Sequence, residues 1–155
     1  MKKYKGFTLI ELLIVIGIIA ILASIIYVAV DPARRLGEAR DAARWSQVNA
    51  ILNAYLKYTV DNGGTEPGSL SADNTKYMIS NTPTGTGICG AIGTLNHVNL
   101  SGLVDTYLSS LPIDTKNNGT AVDTMYYISK SVGGRITVGA CSPERAGANG
   151  ISVSR

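Results

Sequence analysis

From Phe7 to Val30 the chain reads FTLIELLIVIGIIAILASIIYVAV, 24 residues interrupted only by Thr8, Glu11, Gly17 and Ser24. As a helix rising ~1.5 Å per residue this segment is about 36 Å long, enough to cross a hydrocarbon core of ~30 Å. Asp31 and Pro32 follow. Asp is a good N-cap and Pro suits the first helical position, but inside a continuous helix Pro removes a backbone hydrogen bond, so a kink at Pro32 is predicted. Beyond it, Leu36, Ala39, Ala43, Val48, Ile51, Leu52, Tyr55 and Leu56 recur at helical spacing, and Arg35, Glu38, Asp41, Arg44 and Lys57 take the opposite face. This predicts an amphipathic continuation that packs on a globular head and is stopped by Asp61, Asn62, Gly63 and Gly64. The two halves make a helical stretch of about 50 residues, or ~75 Å, longer than a domain of this size needs.

The remainder is patterned differently. Residues 66–100 are rich in Gly, Ser, Thr, Asn and Pro and read as a long connecting loop with one short element at Tyr77, Met78 and Ile79. Leu100 to Leu111 reads as a short helix closed by Pro112. Met125 to Ile128 and Arg135 to Val138 are two β-rich runs joined through Gly133 and Gly134, a hairpin signal.

Composition narrows the class. With 45% apolar and only 16% charged residues in 155, the chain is neither wholly disordered nor a charged coiled coil. Three of the 14 basic residues are Lys2, Lys3 and Lys5, and the rest of the chain is balanced at 11 basic against 11 acidic. The positive excess therefore belongs to the N-terminal tip and not to a surface built to neutralise phosphates. Positive charge ahead of a first apolar segment keeps that end in the cytoplasm, which sends the rest of the chain across the membrane.

An ordinary secretory signal ending near Ala23 has a poor small residue in Ile21 and an apolar run that overshoots it. A plain single-span anchor fits the length but leaves Glu11 unexplained, at ~2.5 to 3.5 kcal/mol for an acid at mid-membrane and somewhat less near the interface. A buried helix of a soluble domain would need covering on every side, which the polar, Gly-rich remainder cannot do.

Read together, Lys2, Lys3, Lys5, Gly6, Phe7, Thr8, Leu9, Ile10 and Glu11 resemble the class III signal of type IV pilins and of their relatives, the pseudopilins of type II secretion. The resemblance implies that a prepilin peptidase cuts after Gly6, that the new amino terminus at Phe7 is N-methylated, and that Glu11 of one subunit pairs with the Phe7 amine of a neighbour during assembly. A charge in low dielectric requires such pairing. It also implies an α+β pilin-like fold, with a long N-terminal helix packed on a small antiparallel β-sheet. Tyr107, Leu108, Leu111, Pro112, Asp114, Gly119 and the Tyr126-Tyr127 pair are similar to the family's C-terminal half, and Thr115 stands where the pseudopilin branch often has Pro.

The implied organisation is a leader at 1–6, a transmembrane and filament-core helix at 7–30, its amphipathic continuation at 31–62 and a head at 63–155. The implied function is that of a structural subunit of a type IV pilus-like filament, whether for adhesion, motility or DNA uptake. A pseudopilin of a type II secretion system is the alternative of the same build, and a monomeric membrane-anchored binding domain outside the cytoplasm is the alternative of another class. Implied partners are copies of the chain in a helical filament, a prepilin peptidase, an assembly platform with its ATPase motor, and membrane lipid before assembly. The implied location is the cytoplasmic membrane with the head outside, then an extracellular pilus or periplasmic pseudopilus.

Cys89 and Cys141 lie in the part placed outside the cytoplasm, where a disulfide forms and persists; two free thiols are the alternative. Paired, they tie the 66–99 loop to the end of the hairpin. Gly85, Gly87 and Gly90 spell G-x-G-x-x-G, with Asp105 twenty residues past the first of them. Pro83 stands where the preceding strand would end, and no helix opens at Gly90, so a dinucleotide site is rejected. His97 is the lone histidine, read as a surface group or local hydrogen-bond donor. There is no hydrolase, zincin or P-loop motif, so no enzyme and no cofactor are expected. Asp114, Asn117, Asn118 and Asp123 could converge on calcium, but they also suit ordinary turns, which is the preferred reading. Arg34, Arg35, Arg40 and Arg44 beside Trp45 suggest a nucleic-acid stripe, yet Asp31, Glu38 and Asp41 are interleaved at ion-pairing spacings. A solvated or subunit-facing helix surface is the expectation there.

Overall fold

A computed structural model describes residues 6–82, 85–146 and 150–155. The chain divides into two compact units, Met1–Gly37 and Glu38–Arg155. The basic cluster Lys2, Lys3 and Lys5 and the Pro83 that argued against a dinucleotide loop lie outside the described residues.

In the first unit, α1 spans Leu9–Val30 and none of its residues is buried. Asp31 then takes a left-handed conformation, with φ 41° and ψ 76°, and α2 begins at Pro32. The Asp31 carboxylate accepts from the Arg34 amide at 3.2 Å and its carbonyl accepts from the Arg35 amide at 3.2 Å. Asp31 thus serves both helices, ending one and capping the next.

α2 runs Pro32–Asp61, and its stretch from Val48 to Tyr55 packs on the head's sheet. The sheet has six strands: β1 Lys76–Ser80, β2 Thr86–Ile88, β3 Thr94–Asn99, β4 Tyr126–Lys130, β5 Ile136–Ala140 and β6 Ser152–Ser154. Their order is β2-β3-β1-β4-β5-β6. β1 and β3 pair in parallel and every other neighbour is antiparallel, so the sheet is mixed and not purely antiparallel as the resemblance implied.

Both sheet faces are covered, which period-2 alternation achieves with few residues. Ile79, Val98, Tyr126, Ile128, Ile136 and Val138 meet Val48, Ile51, Leu52 and Tyr55 of α2 on one face. Met78, Leu95, Met125 and Tyr127 gather with the two half-cystines on the other. Tyr127 faces Gly139 in register. A Cβ there would lie 2.5 Å from the Tyr127 ring, so glycine lets the ring lie flat on β5. The β4–β5 hairpin is as expected, closed by the Gly134 amide donating to the Ser131 carbonyl at 2.9 Å with Gly134 at φ +83°.

Three expectations are corrected. The 66–99 segment is not a featureless loop: besides the expected element, now β1, it contains β2 and β3. The Leu100 to Leu111 helix does not form. Leu100, Leu103 and Leu111 are buried, but only Ser101–Leu103 makes a 3₁₀ turn. Val104 is extended and Asp105 is left-handed at φ 72°, which no helix can include. The third concerns α2. Leu36, Ala39 and Ala43 are exposed, and the buried stripe is Asp41, Arg44, Val48, Ile51, Leu52 and Tyr55. From Val48 onward the buried stripe is the expected one, and the two part only ahead of it, where Asp41 and Arg44 are covered in place of Leu36, Ala39 and Ala43.

Candidate processing and assembly segment

At the amino end of α1, Phe7 is fully extended into solvent at 88% exposure, and a Cβ on Gly6 would meet nothing within 4 Å. Thr8 is the N-cap, in an extended conformation with φ −82° and ψ 154°. Its hydroxyl accepts from the Glu11 amide at 3.3 Å, while Glu11 Oε2 accepts from the Thr8 amide at 2.8 Å and from the Thr8 hydroxyl at 2.7 Å. This reciprocal capping box satisfies otherwise orphaned donors and places a carboxylate at the positive end of the helix. A lone chain therefore gives Glu11 a partner within itself, which the sequence reading did not provide. The T-x-x-E spacing from Thr8 to Glu11 carried that signal.

Beyond the cap, α1 has no polar side: Leu9 to Val30 is apolar all round and exposed all round. Within it Ser24 turns its hydroxyl back onto the Ile21 carbonyl at 2.7 Å. A stretch of this length and mean hydropathy can cross a membrane. It is a surface that requires lipid or protein cover. Chemically the segment offers an accessible Gly-Phe bond, an acid one turn into a helix and some 22 residues of apolar packing surface.

Of the basic cluster, Arg34 and Arg35 in the first unit are exposed as expected, but in the head Arg40 and Arg44 are drawn into an ion network. Arg44 is 2% exposed, as is appropriate for the centre of an ion network. It donates to Asp41 at 2.7 Å, to Asp114 at 2.9 and 3.2 Å and to Glu144 at 3.2 Å. Arg40 grips Glu144 with two bonds of 2.6 and 2.5 Å. The Asp41 carboxylate also accepts from the successive amides of Glu144 and Arg145, at 3.0 and 2.6 Å. The segment after the disulfide is thereby strapped to α2. Burial pushes the Asp41 carboxyl up, but the Glu144 amide, the Arg44 guanidinium and the Arg145 amide outweigh it and hold the group below the usual carboxylate range. The bidentate bond from Arg40, assisted by Arg44 against some desolvation, lowers Glu144 to about 2. Burial alone would lower the Arg44 guanidinium, but the hydrogen bonds it donates to Asp114, Asp41 and Glu144 overcome this and raise it above its ordinary value.

The other candidates fall into place around the sheet. Cys89 and Cys141 form a disulfide with Cα atoms 4.7 Å apart, joining the end of β2 to the end of β5. His97 is not on the surface: its side chain is 1% exposed, and its Nε2 lies 2.5 Å from Asp123 Oδ1. Asp114 and Asn117 meet at 2.6 Å. Asp114 is turned to Arg44 and Asp123 to His97, so these carboxylates serve the fold in the manner of turn and ion-pair chemistry. Among the described residues no three His, Cys, Asp or Glu side chains stand together as metal ligands. Of the G-x-G-x-x-G glycines, Gly87 lies within β2 at the sheet's edge and Gly85 and Gly90 flank it.

Residues 1–27 match the family described as the prokaryotic N-terminal methylation motif. Over 62 residues the chain is 44% identical to a protein named type IV wide pilus major component PilA4, from Thermus thermophilus. That alignment covers 40% of this chain and 46% of the relative, so the likeness spans less than half of either. No solved structure matches the chain.

Proposed function

We propose that the chain belongs with the type IV pilins, as its methylation motif and its likeness to a pilus major component support, and that it is the structural subunit of a type IV pilus-like filament. The carrying observation is the offset of Gly6, Phe7 and Glu11 at the head of an apolar helix in which no residue is buried. Residues 1–6 are the leader, removed by a prepilin peptidase, and Phe7 becomes a methylated amino terminus. Residues 7–30 hold the precursor in the cytoplasmic membrane and then form the filament core. Residues 31–62 carry the helix into the head, with Pro32 marking the junction.

Assembly exchanges lipid contacts of α1 for contacts with neighbouring copies. Apolar burial changes little in that exchange, so pairing and close packing set the register. Glu11 leaves its own Thr8 and accepts from the Phe7 amine of a neighbour, trading hydrogen bonds from neutral donors for an ion pair in low dielectric. The platform and the ATPase motor are separate proteins, since the family is one of structural and non-enzymatic subunits.

Mass spectrometry of material sheared from native cells tests this directly. A terminal peptide beginning at N-methylated Phe7 in the sheared fraction is expected. A mature terminus at Met1 or after Ala23, or protein confined to membranes or medium, would overturn the reading in favour of an anchored or secreted domain.

A further inference from the structure

Beside β2, at the edge of the sheet, lies an open trough of about 570 Å³, within the ~300 to 1,000 Å³ range of small-molecule sites. One wall is Thr86, Gly87 and Ile88, the other Lys116 and Asn118, and Asp123 and Met125 complete it. None of these side chains takes part in the assembly chemistry above.

The trough is shaped by positions with little freedom to vary. A Cβ on Gly87 would stand 2.1 Å from Asp123 Oδ1, and one on Gly90 would stand 2.4 Å from the Ser142 hydroxyl. Met125 is 9% exposed and left-handed at φ 66°, and Asn118 is left-handed at φ 58°. A bulky residue in that conformation is strained, and such strain persists only where surrounding structure over-determines it. Asp123 is held from behind by the buried His97, which fixes Oδ1 and leaves Oδ2 with acceptor capacity. Lys116 and Asn118 have no side-chain partner among the described residues.

The donors and acceptors favour one class of ligand. Asp123 and Lys116 place one negative and one positive group in the same trough, so a free anion or a free cation gains no net attraction. The Asn118 amide, the Thr86 hydroxyl and the spare Asp123 oxygen offer donors and acceptors together. Ile88, 72% exposed, supplies an aliphatic surface. We propose that this trough is a carbohydrate site that takes a neutral saccharide. Asp123 accepts from its hydroxyls, Asn118 and Lys116 donate to its oxygens, and Ile88 lies against a C–H face of the ring. The proposal does not depend on assembly and can be tested on the unassembled chain.

The test uses the full-length protein in a detergent without a sugar headgroup. Saturation-transfer NMR is run against methyl glycosides of the common hexoses and N-acetylhexosamines, with free amino acids as the zwitterionic rival, and responding ligands are then titrated. At least one glycoside should bind saturably. Asn118→Gly, which retains the left-handed backbone, and Lys116→Ala should each weaken it roughly tenfold, the cost of one or two charge-assisted or amide hydrogen bonds. Arg135→Ala, on the hairpin turn, should leave binding unchanged, and unchanged circular dichroism would show that all three variants remain folded. Absence of saturable glycoside binding up to about 20 mM, at the weak end of specific recognition, would overturn the proposal. So would binding that Asn118→Gly and Lys116→Ala leave intact, or binding of amino acids in place of sugars.

Discussion

The guanidinium of Arg44 holds both carboxylate oxygens of Asp114, 70 positions along the chain, at 2.9 and 3.2 Å with both side chains buried. This pair fixes the loop after Pro112 to α2, and the same guanidinium reaches Asp41 and Glu144. A single arginine therefore joins three segments that the apolar core touches only in part.

Removing one member should be costly. Arg44→Met leaves Asp41 and Asp114 buried without their cation, and breaking a buried pair in this way costs ~3 to 5 kcal/mol. Thermal denaturation followed by circular dichroism should show a fall of at least ~6 °C in the head's midpoint. Arg44→Met combined with Asp114→Leu should recover part of the loss, because no uncompensated charge then remains at that contact. Equal losses in the single and double variants would mean that packing of the arginine stem, and not charge, is what the site requires.

The same network sets an acid limit. Both Asp41 and Glu144 are held below their ordinary values, Glu144 from 4.5 to about 2. A depressed carboxyl contributes stability that is fully present above its unfolded value and is lost as pH falls through its folded value. The head's melting point should therefore be level down to the ordinary carboxylate range and decline progressively below it, as the strap of Glu144 and Arg145 loosens from α2. Glu144→Gln should lower the midpoint at neutral pH and flatten the decline. An unchanged acid slope in that variant would assign the sensitivity to other carboxylates.

These residues also show where sequence reading stopped. The apolar helix, the β4–β5 hairpin and the cysteine pairing are legible, because each is a local pattern or a pairing with one possible partner. Periodicity treats an apolar stripe as the buried one and so puts Asp41 and Arg44 on the wet face, whereas the loops that cover these two arrive from 70 and 100 residues away. β2 and β6 have three residues each, too few to display alternation, and β3 mixes Thr, Asn and His with Leu95 and Val98. His97 looked superficial for the same reason: its cover is Gly85 on one side and Asp123 on another, neither of which is an apolar neighbour.

The disulfide closes a span of 52 residues, and in the chain-entropy account such a loop restricts the unfolded state by about 4 kcal/mol. Cys89→Ala with Cys141→Ala should lower the midpoint accordingly and should raise hydrogen exchange first at β2, an edge strand paired to β3 on one side, and less at the segment after β5, which the ion network still holds to α2. Uniform protection loss across the sheet would show instead that the bond stabilises the head as a whole.

The capping box makes Glu11 separable into two roles. Thr8→Ala removes the cap and should weaken the first turn of α1 by ~1 kcal/mol, while leaving the carboxylate free to meet a neighbour's amine. Glu11→Gln retains an acceptor for the Thr8 amide and loses the charge. If assembly depends on the ion pair, the glutamine variant accumulates in the membrane with almost no sheared filament, and the alanine variant still assembles, because its carboxylate has one competitor fewer. If the cap alone matters, the order reverses: Glu11→Gln assembles and Thr8→Ala does not. Immunoblots of sheared and membrane fractions from cells carrying each variant distinguish the two. Retention of filaments in both would remove residues 8–11 from the assembly mechanism and leave the apolar face of α1 to set register unaided.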